Sequence, residues 1–189
     1  MRQEFVAAGF GSQGIISMGI VVCTAAGLYD NKMVAQNQSN GPVARGGACR
    51  TEVVISDAEI DYPRALTPDI MILMSEQARD RYLSEVNPEQ GQVLIDSTLV
   101  AAMPPQIKNV YRIPATDIAE TKLGQRAAAG MVMLGAMAAL TGLVSYQGLQ
   151  AAVRDTGEGD ATTVDLKALE EGYAYGRTML MAREGGAIL

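Results

Sequence analysis

The feature that most constrains the fold is an apolar run that ends in three closely spaced glycines. Residues 5–8 are apolar, and Gly9, Gly11 and Gly14 follow in G-x-G-x-x-G spacing. An apolar segment of helical length continues to about Leu28. Glycine tolerates positive φ and lets backbones approach closely, so the pattern predicts a strand, a tight turn and a helix.

A helix that begins directly after such a turn offers unpaired N–H groups and a partial positive charge, which together attract anions. The sequence therefore predicts an anion-binding turn, made by Gly9, Gly11, Ser12, Gln13 and Gly14. A second interpretation stays open, in which the glycines only pack the first helix against a sheet.

A nicotinamide or flavin site of the Rossmann type also requires an acidic residue at the end of the second strand. The second apolar run, residues 32–35, leads into Gln36-Asn37-Gln38-Ser39-Asn40, which contains no acid. The absence of this acidic residue counts against an NAD-binding site.

Composition limits the classes of partner. The chain has 189 residues, with 15 Lys plus Arg against 21 Asp plus Glu, a net charge of −6. Its length predicts a single domain over residues 1–189. Because an acidic chain has no diffuse attraction for nucleic acid or anionic membranes, any anion site must be local.

Histidine is absent, which removes the commonest general base and metal ligand, so no metal site is predicted. Two cysteines, Cys23 and Cys49, are too few to hold an iron–sulfur cluster and suit a reducing cytosol. The first apolar run is too short for a signal peptide, so we expect a cytoplasmic protein.

Residues 41–48 cannot form a regular element. Three glycines and a proline surround one cation there, and the candidate binding residues are Gly41, Arg45, Gly46 and Gly47. Residues 49–56 then alternate as a strand does, with Arg50 and Glu52 on one face, and residues 57–63 form an acidic turn.

Further strands are predicted at residues 70–74, 92–97 and 110–113, and Ser75 caps a helix that continues to about Glu85. Strands that alternate with helices predict an α/β fold: an open, mostly parallel, Rossmann-like sheet with helices on both faces. Ligands bind such sheets at the carboxyl ends of the strands. The segments expected to converge there are residues 9–14, 36–47, 74–75 and 96–97.

The C-terminal third is predicted to be helical. Residues 127–153 carry no charge, and we interpret 127–140 as a buried helix rather than a membrane span, because alanine and glycine dominate it. A further short helix over 146–154, a solvated acidic loop at 155–160 and a last helix from about Asp165 to Arg183 follow. The apolar stripe of the last helix would dock it on the body.

Several motifs occur in order along the chain: GFGSQG at residues 9–14, QSNGPVARGG at 38–47, EIDYP at 59–63, IPAT at 113–116 and MVMLGA at 131–136. In this combination the chain resembles the gamma subunit of 2-oxoacid:ferredoxin oxidoreductases. It departs from that pattern at Ser12, Asn40 and Val43.

The resemblance implies a subunit of an enzyme that oxidatively decarboxylates a 2-oxo acid, transferring the acyl group to coenzyme A and the electrons to ferredoxin. Thiamine diphosphate, Mg²⁺ and iron–sulfur clusters are then expected in alpha, beta and, where one is present, ferredoxin-like delta subunits, with none held by this chain. Its glycine turn and Arg45 would contact coenzyme A phosphates. The compact chain and the turn at 59–63 favour 2-oxoglutarate over pyruvate or branched-chain oxo acids.

Two other functions remain open from the sequence. One is a stand-alone Rossmann nucleotide-binding oxidoreductase, and the other is an interaction module without a ligand.

Overall fold

The computed structural model describes residues 1–39 and 49–185, and its centre is one six-stranded sheet. The strands are β1 (Arg2–Gly9), β2 (Met33–Ser39), β3 (Cys49–Ser56), β4 (Ile70–Leu73), β5 (Gln92–Asp96) and β6 (Asn109–Ile113). Their order across the sheet is β2-β3-β1-β4-β5-β6. Strands β1, β4, β5 and β6 are parallel, whereas β3 is antiparallel to both β1 and β2. The predicted mostly parallel α/β sheet is confirmed.

The antiparallel strand β3 lies between β1 and β2. The chain from Ser39 to Cys49 is too short for a helical crossover, which needs a dozen or more residues, so β2 and β3 pair as antiparallel neighbours. The end of β2 therefore lies two strands from β1, unlike the second strand of a dinucleotide-binding fold.

Within residues 1–39 and 49–185, six α-helices surround the sheet. They are α1 (Ile15–Thr24), α2 (Glu76–Tyr82), α3 (Ala115–Leu123), α4 (Ala129–Thr141), α5 (Tyr146–Thr156) and α6 (Gly159–Gly185). A π-helical turn extends α1 through Tyr29. The Ser75 hydroxyl caps α2 by accepting a hydrogen bond from the N–H of Ala78, as the sequence predicts.

The last helix begins earlier than predicted. Helix α5 continues to Thr156 and α6 starts at Gly159, so the acidic loop expected at 155–160 is reduced to residues 157–158. Asp160 lies in the first turn of α6, where a carboxylate is favoured by the partial positive charge of the helix terminus. The prediction of a loop was wrong there, because aspartate and glycine occur at helix ends as well as in loops.

Apolar side chains are buried on both faces of the sheet. The larger cluster joins the Phe5 face of β1 to α1, α3, α4, α5 and α6. The smaller cluster joins the Val6 face of β1 to α2. The predicted placement of helices on both faces is confirmed, and the helix after β1 lies on the opposite side from the helix after β4.

Helices α4 and α6 pack closely through glycine. A Cβ at Gly172 would lie 1.8 Å from the carbonyl oxygen of Val132, and one at Gly135 would lie 2.0 Å from that of Leu169. Helix α4 is buried along nearly its whole length, as predicted. Within the described ranges, no helix combines the length and the apolar character that a bilayer crossing requires.

We predict that Gly172→Ala destabilises the fold by about 3 kcal/mol, because the added methyl group meets the backbone of α4, which cannot rotate away. Urea denaturation monitored by circular dichroism measures the change. Ala174→Val adds volume at an exposed position of the same helix and should change stability by less than about 0.5 kcal/mol. Equal effects of the two variants would show that the helices are not in tight contact.

Candidate functional site

The glycine turn after β1 has the predicted strand, turn and helix geometry. Gly14 has φ 72°, in the left-handed region that favours glycine, and it precedes the first residue of α1. Gly9 is needed for space, since a Cβ there would lie 2.5 Å from Gln13 Oε1 and 2.7 Å from Met74 Cβ. Gly11 is less constrained, because a Cβ there would lie 3.4 Å from the sulfur of Cys49.

Gln13 fastens the turn to the segment that follows β4. Its Oε1 accepts a hydrogen bond from the N–H of Phe10 at 2.7 Å, and its Nε2 donates to the carbonyl oxygen of Met74 at 2.7 Å. The residue is 8% exposed. Each end of its amide thus makes one hydrogen bond within the protein, so Gln13 holds the turn in place.

A crevice opens beside this amide. Because α1 and α2 leave neighbouring parallel strands on opposite faces, the carboxyl ends of β1 and β4 form a topological switch point, where open α/β sheets bind ligands. The cavity there has a volume of about 310 Å³. Its lining residues are Phe10, Ser12, Gln13, Ser75, Glu76, Leu99 and Arg126.

The charged groups of the crevice are held by neighbours. Arg126 donates to a carboxylate oxygen of Glu120 at 2.7 Å, and both side chains remain about half exposed. Glu76 lies 3.7 Å from the guanidinium of Arg79. The Ser12 residue is exposed at the rim. A hydroxyl, a helix N-terminus and a guanidinium at one crevice suit the binding of an anion, and a partly exposed ion pair can exchange partners at little cost.

The predicted loop residues Gly41, Arg45, Gly46 and Gly47 lie outside the described residues. The strand residues that flank them lie at the same edge of the sheet as the glycine turn. Cys49 pairs with Gly9 across β3 and β1, and Ser39 pairs with Arg50. The two glycine segments of the sequence are therefore joined to the same end of the sheet.

The other predicted strand ends differ in role. Ser75 lines the crevice, but its hydroxyl is buried and occupied as the cap of α2. Asp96, at the end of β5, is fully buried and accepts hydrogen bonds from the backbone N–H and the hydroxyl of Thr116. Asp96 therefore positions α3 and does not reach a ligand.

Sequence analysis missed Arg126. It lies in a short 3₁₀ turn directly before α4, and that turn packs on the glycine turn, with Gly14 facing the carbonyl oxygen of Ala127. The contact joins segments more than a hundred residues apart in sequence. The only sequence signal was that Arg126 is the last cation before the uncharged run.

Arg50 and Glu52 share a strand face, as predicted, and form an ion pair at 3.0 Å. Arg50 also pairs with Glu85 at 2.6 Å, and Arg64 pairs with Glu52. Arg50, Glu52 and Arg64 line a polar cavity of about 260 Å³ beside β2. Two guanidinium groups matched by two carboxylates leave no excess charge there, so the network ties β3 to the end of α2.

No group of three or more His, Cys, Asp or Glu side chains that could hold a metal ion occurs in residues 1–39 and 49–185.

We predict that Gln13→Ala lowers the free energy of unfolding by roughly 2–4 kcal/mol, because it leaves the N–H of Phe10 and the carbonyl of Met74 without their partner. Chemical denaturation measures this loss. Gln106→Ala, at an exposed turn position, is the matched control and should change stability by less than about 0.5 kcal/mol. A Gln13→Ala protein as stable as the control would contradict the bridging role.

Comparison with known proteins agrees with this architecture. Residues 4–175 match the family described as pyruvate ferredoxin/flavodoxin oxidoreductase. The 2-oxoglutarate synthase subunit KorC of Methanocaldococcus jannaschii is 42% identical over 181 residues, which cover 95% of this chain and 96% of the relative.

The ketoisovalerate oxidoreductase subunit VorA of Methanothermobacter thermautotrophicus is 33% identical over 174 residues, covering 90% of this chain but 35% of the relative. A crystal structure of the keto/oxoacid ferredoxin oxidoreductase gamma subunit from Geobacter sulfurreducens superimposes with a TM-score of 0.83 at 34% identity, covering 92% of this chain and 95% of that one. The chain therefore belongs to the pyruvate ferredoxin/flavodoxin oxidoreductase family, as a gamma subunit of the 2-oxoacid:ferredoxin oxidoreductase type, which confirms the resemblance seen in the sequence.

Proposed function

We propose that this chain is the gamma subunit of a 2-oxoglutarate:ferredoxin oxidoreductase and that its glycine-turn crevice binds the phosphate groups of coenzyme A. The name of the relative from Methanocaldococcus jannaschii, a 2-oxoglutarate synthase subunit, supports the choice of 2-oxo acid. The relative matches along nearly its whole length, which supports the proposal of a single gamma-subunit domain over residues 1–189.

The proposed partners are the alpha and beta subunits and, where the complex has one, a ferredoxin-like delta subunit that passes electrons to ferredoxin. In this scheme the partners hold thiamine diphosphate with Mg²⁺, which supplies the decarboxylation chemistry, and the iron–sulfur clusters. The chain's two cysteines support this division, because a cluster requires four thiolate ligands. Both cysteines are free and half-buried, which suits the cytosolic location that we propose.

The observation that carries the coenzyme A proposal is the crevice at the switch point between β1 and β4. Helix α1 begins at Ile15, two residues after the lining residue Gln13, and the N–H groups of its first turn have no carbonyl partner within that helix. Ser12 lies at the rim, and Arg126 is attached to the turn that packs beside Gly14. A hydroxyl, backbone N–H groups and a guanidinium are the groups that proteins use to hold phosphate.

Arg45 would complete the site. Arg126 is already shared with Glu120, and Glu76 contributes a negative charge to the lining, so the described residues provide little net positive charge. The segment with Arg45 joins Ser39 to Cys49, next to the glycine turn, and it carries one cation and no acid. Its guanidinium would supply the missing positive charge, while the glycines allow close backbone approach.

We expect Arg45→Ala and Arg126→Ala, each assayed in the assembled complex, to raise the KM for coenzyme A by about 10- to 100-fold, the value of one charge-assisted hydrogen bond. The KM for the 2-oxo acid should stay unchanged, since that substrate reacts in the partner subunits. Steady-state kinetics with each substrate varied in turn measures both constants.

Arg177→Ala removes the same charge from an exposed position of α6 and serves as the control, with no change in either constant. Equal increases in both KM values, or no increase for coenzyme A, would reject the phosphate role and leave the glycine segments as elements of a subunit interface.

A further inference from the structure

The surface of α1 carries no charge. Residues 5–29 contain no Asp, Glu, Lys or Arg, although such residues make up 19% of the chain. Yet α1 lies at the surface of the described structure, and Ile20 is 40% exposed. A helix that faces water normally presents charged or polar residues on its outer side, whereas a helix that is apolar all round is normally buried. The free surface of α1 therefore has the composition of a buried one.

The uncharged side of α1 faces the edge of the sheet. Gly19 packs against Thr51 of β3 and Gln36 of β2, and Gly27 packs against Val34 of β2. The residues at helical spacing along this side are Ile16, Ile20, Cys23 and Gly27, all exposed or partly exposed. Burial raises the pKa of the Cys23 thiol, so that residue also stays uncharged at neutral pH. These four residues form one apolar stripe beside β2.

Strand β2 itself is an unprotected edge. It pairs with β3 on one side, and within residues 1–39 and 49–185 no strand pairs with its other side. Met33–Ser39 contains no charged residue and no proline. Natural proteins usually protect an edge of this length with lysine, proline or a bulge, since unpaired backbone groups recruit other strands. The unpaired edge of β2 and the uncharged side of α1 lie next to each other, so they form one continuous surface.

We propose that the outer edge of β2 and the β2-facing side of α1 form the docking surface for one companion subunit, the separate polypeptide that corresponds to the additional sequence of the VorA relatives, which pairs backbone groups with β2 and packs apolar side chains on α1. This inference rests on the proposed function, because it takes the companion from the same enzyme. It adds the location of the contact, which the subunit assignment leaves open.

The fused relatives support a companion subunit as the occupant. Two VorA chains match this chain over 90% and 92% of its length, while the matched region is only 35% and 36% of each relative. Most of each VorA polypeptide is therefore additional sequence covalently joined to a domain of this kind. A chain that lacks the covalent link needs a stable non-covalent interface instead, and such interfaces are more apolar than ordinary surface.

The test is co-expression of the tagged chain with the companion subunits, followed by affinity capture and measurement of the ratio of companion to tagged chain. Ile20→Glu places a charge in the proposed interface and should lower that ratio by at least about tenfold, because burial of an unpaired charge is costly. Met181→Glu makes the same change at a 60% exposed position of α6 and should capture as much companion as the wild type. Equal melting temperatures establish that both variants fold.

Photo-crosslinking within the assembled wild-type complex provides a readout that does not depend on a destabilising charge. Benzoylphenylalanine in place of Ile20 should crosslink to the companion, whereas the same residue in place of Met181 should not. Crosslinks at position 20 to a second copy of this chain, or to no subunit, would overturn the assignment.

The two proposals fail differently. If the tagged wild-type chain retains no companion subunit, the proposed function fails and the docking surface with it. If the wild-type chain retains the companion and Ile20→Glu retains just as much, only the assignment of the surface is wrong.

Discussion

The side-chain amide of Gln13 joins the segments that follow β1 and β4. It lies at the switch point where the helices change from one face of the sheet to the other. It bridges the N–H of Phe10 after β1 and the carbonyl of Met74 after β4. Those strands are parallel neighbours whose helices leave on opposite faces, and the bridge adds to the backbone hydrogen bond that the N–H of Met74 donates to the carbonyl oxygen of Ala8. Gly9 must lack a side chain because the amide occupies the space a Cβ would need. The crevice lies beside the Gln13 bridge, and Gln13 forms part of its lining.

A second constraint is the close packing of α6 on the uncharged helix α4. Backbone contacts at Gly172 and Gly135 bring α6 against α4, and the turn before α4 carries Arg126 to the glycine turn. The tight contact therefore positions a cation that is remote in sequence. At the edge of the sheet, no strand of residues 1–39 and 49–185 pairs with the outer side of β2, and the uncharged side of α1 reaches the surface there. The docking surface that we propose would cover this open edge within the assembly.

Much of this architecture could be predicted because the relevant signals are local. The glycine spacing, the Ser75 cap and the alternation at residues 49–56 each specify backbone geometry within a few residues, and the structure confirms them. The position of β3 between β1 and β2 could not be read from such patterns, because strand order depends on connection length and on pairing across the sheet.

The candidate site was only partly predictable for the same reason. Gln13 was expected to bind a ligand, and nothing in its sequence neighbourhood shows that its amide also bonds to the carbonyl oxygen of Met74. Asp96 was expected at the ligand edge, but its carboxylate turns inward to Thr116. Arg126 reaches the crevice through a contact between distant segments. Side-chain roles at the ends of strands depend on what packs beside them, which the local pattern does not encode.

The central claim is that this chain performs its work only with other polypeptides that carry the redox and decarboxylation chemistry. The most direct measurement is coenzyme A-dependent oxidation of 2-oxoglutarate, followed by reduction of an electron acceptor, for the chain alone, for the complex lacking it and for the complex with it added back. The account predicts activity only for the complete complex. Turnover by the isolated chain, or full activity of the complex without it, would contradict the account.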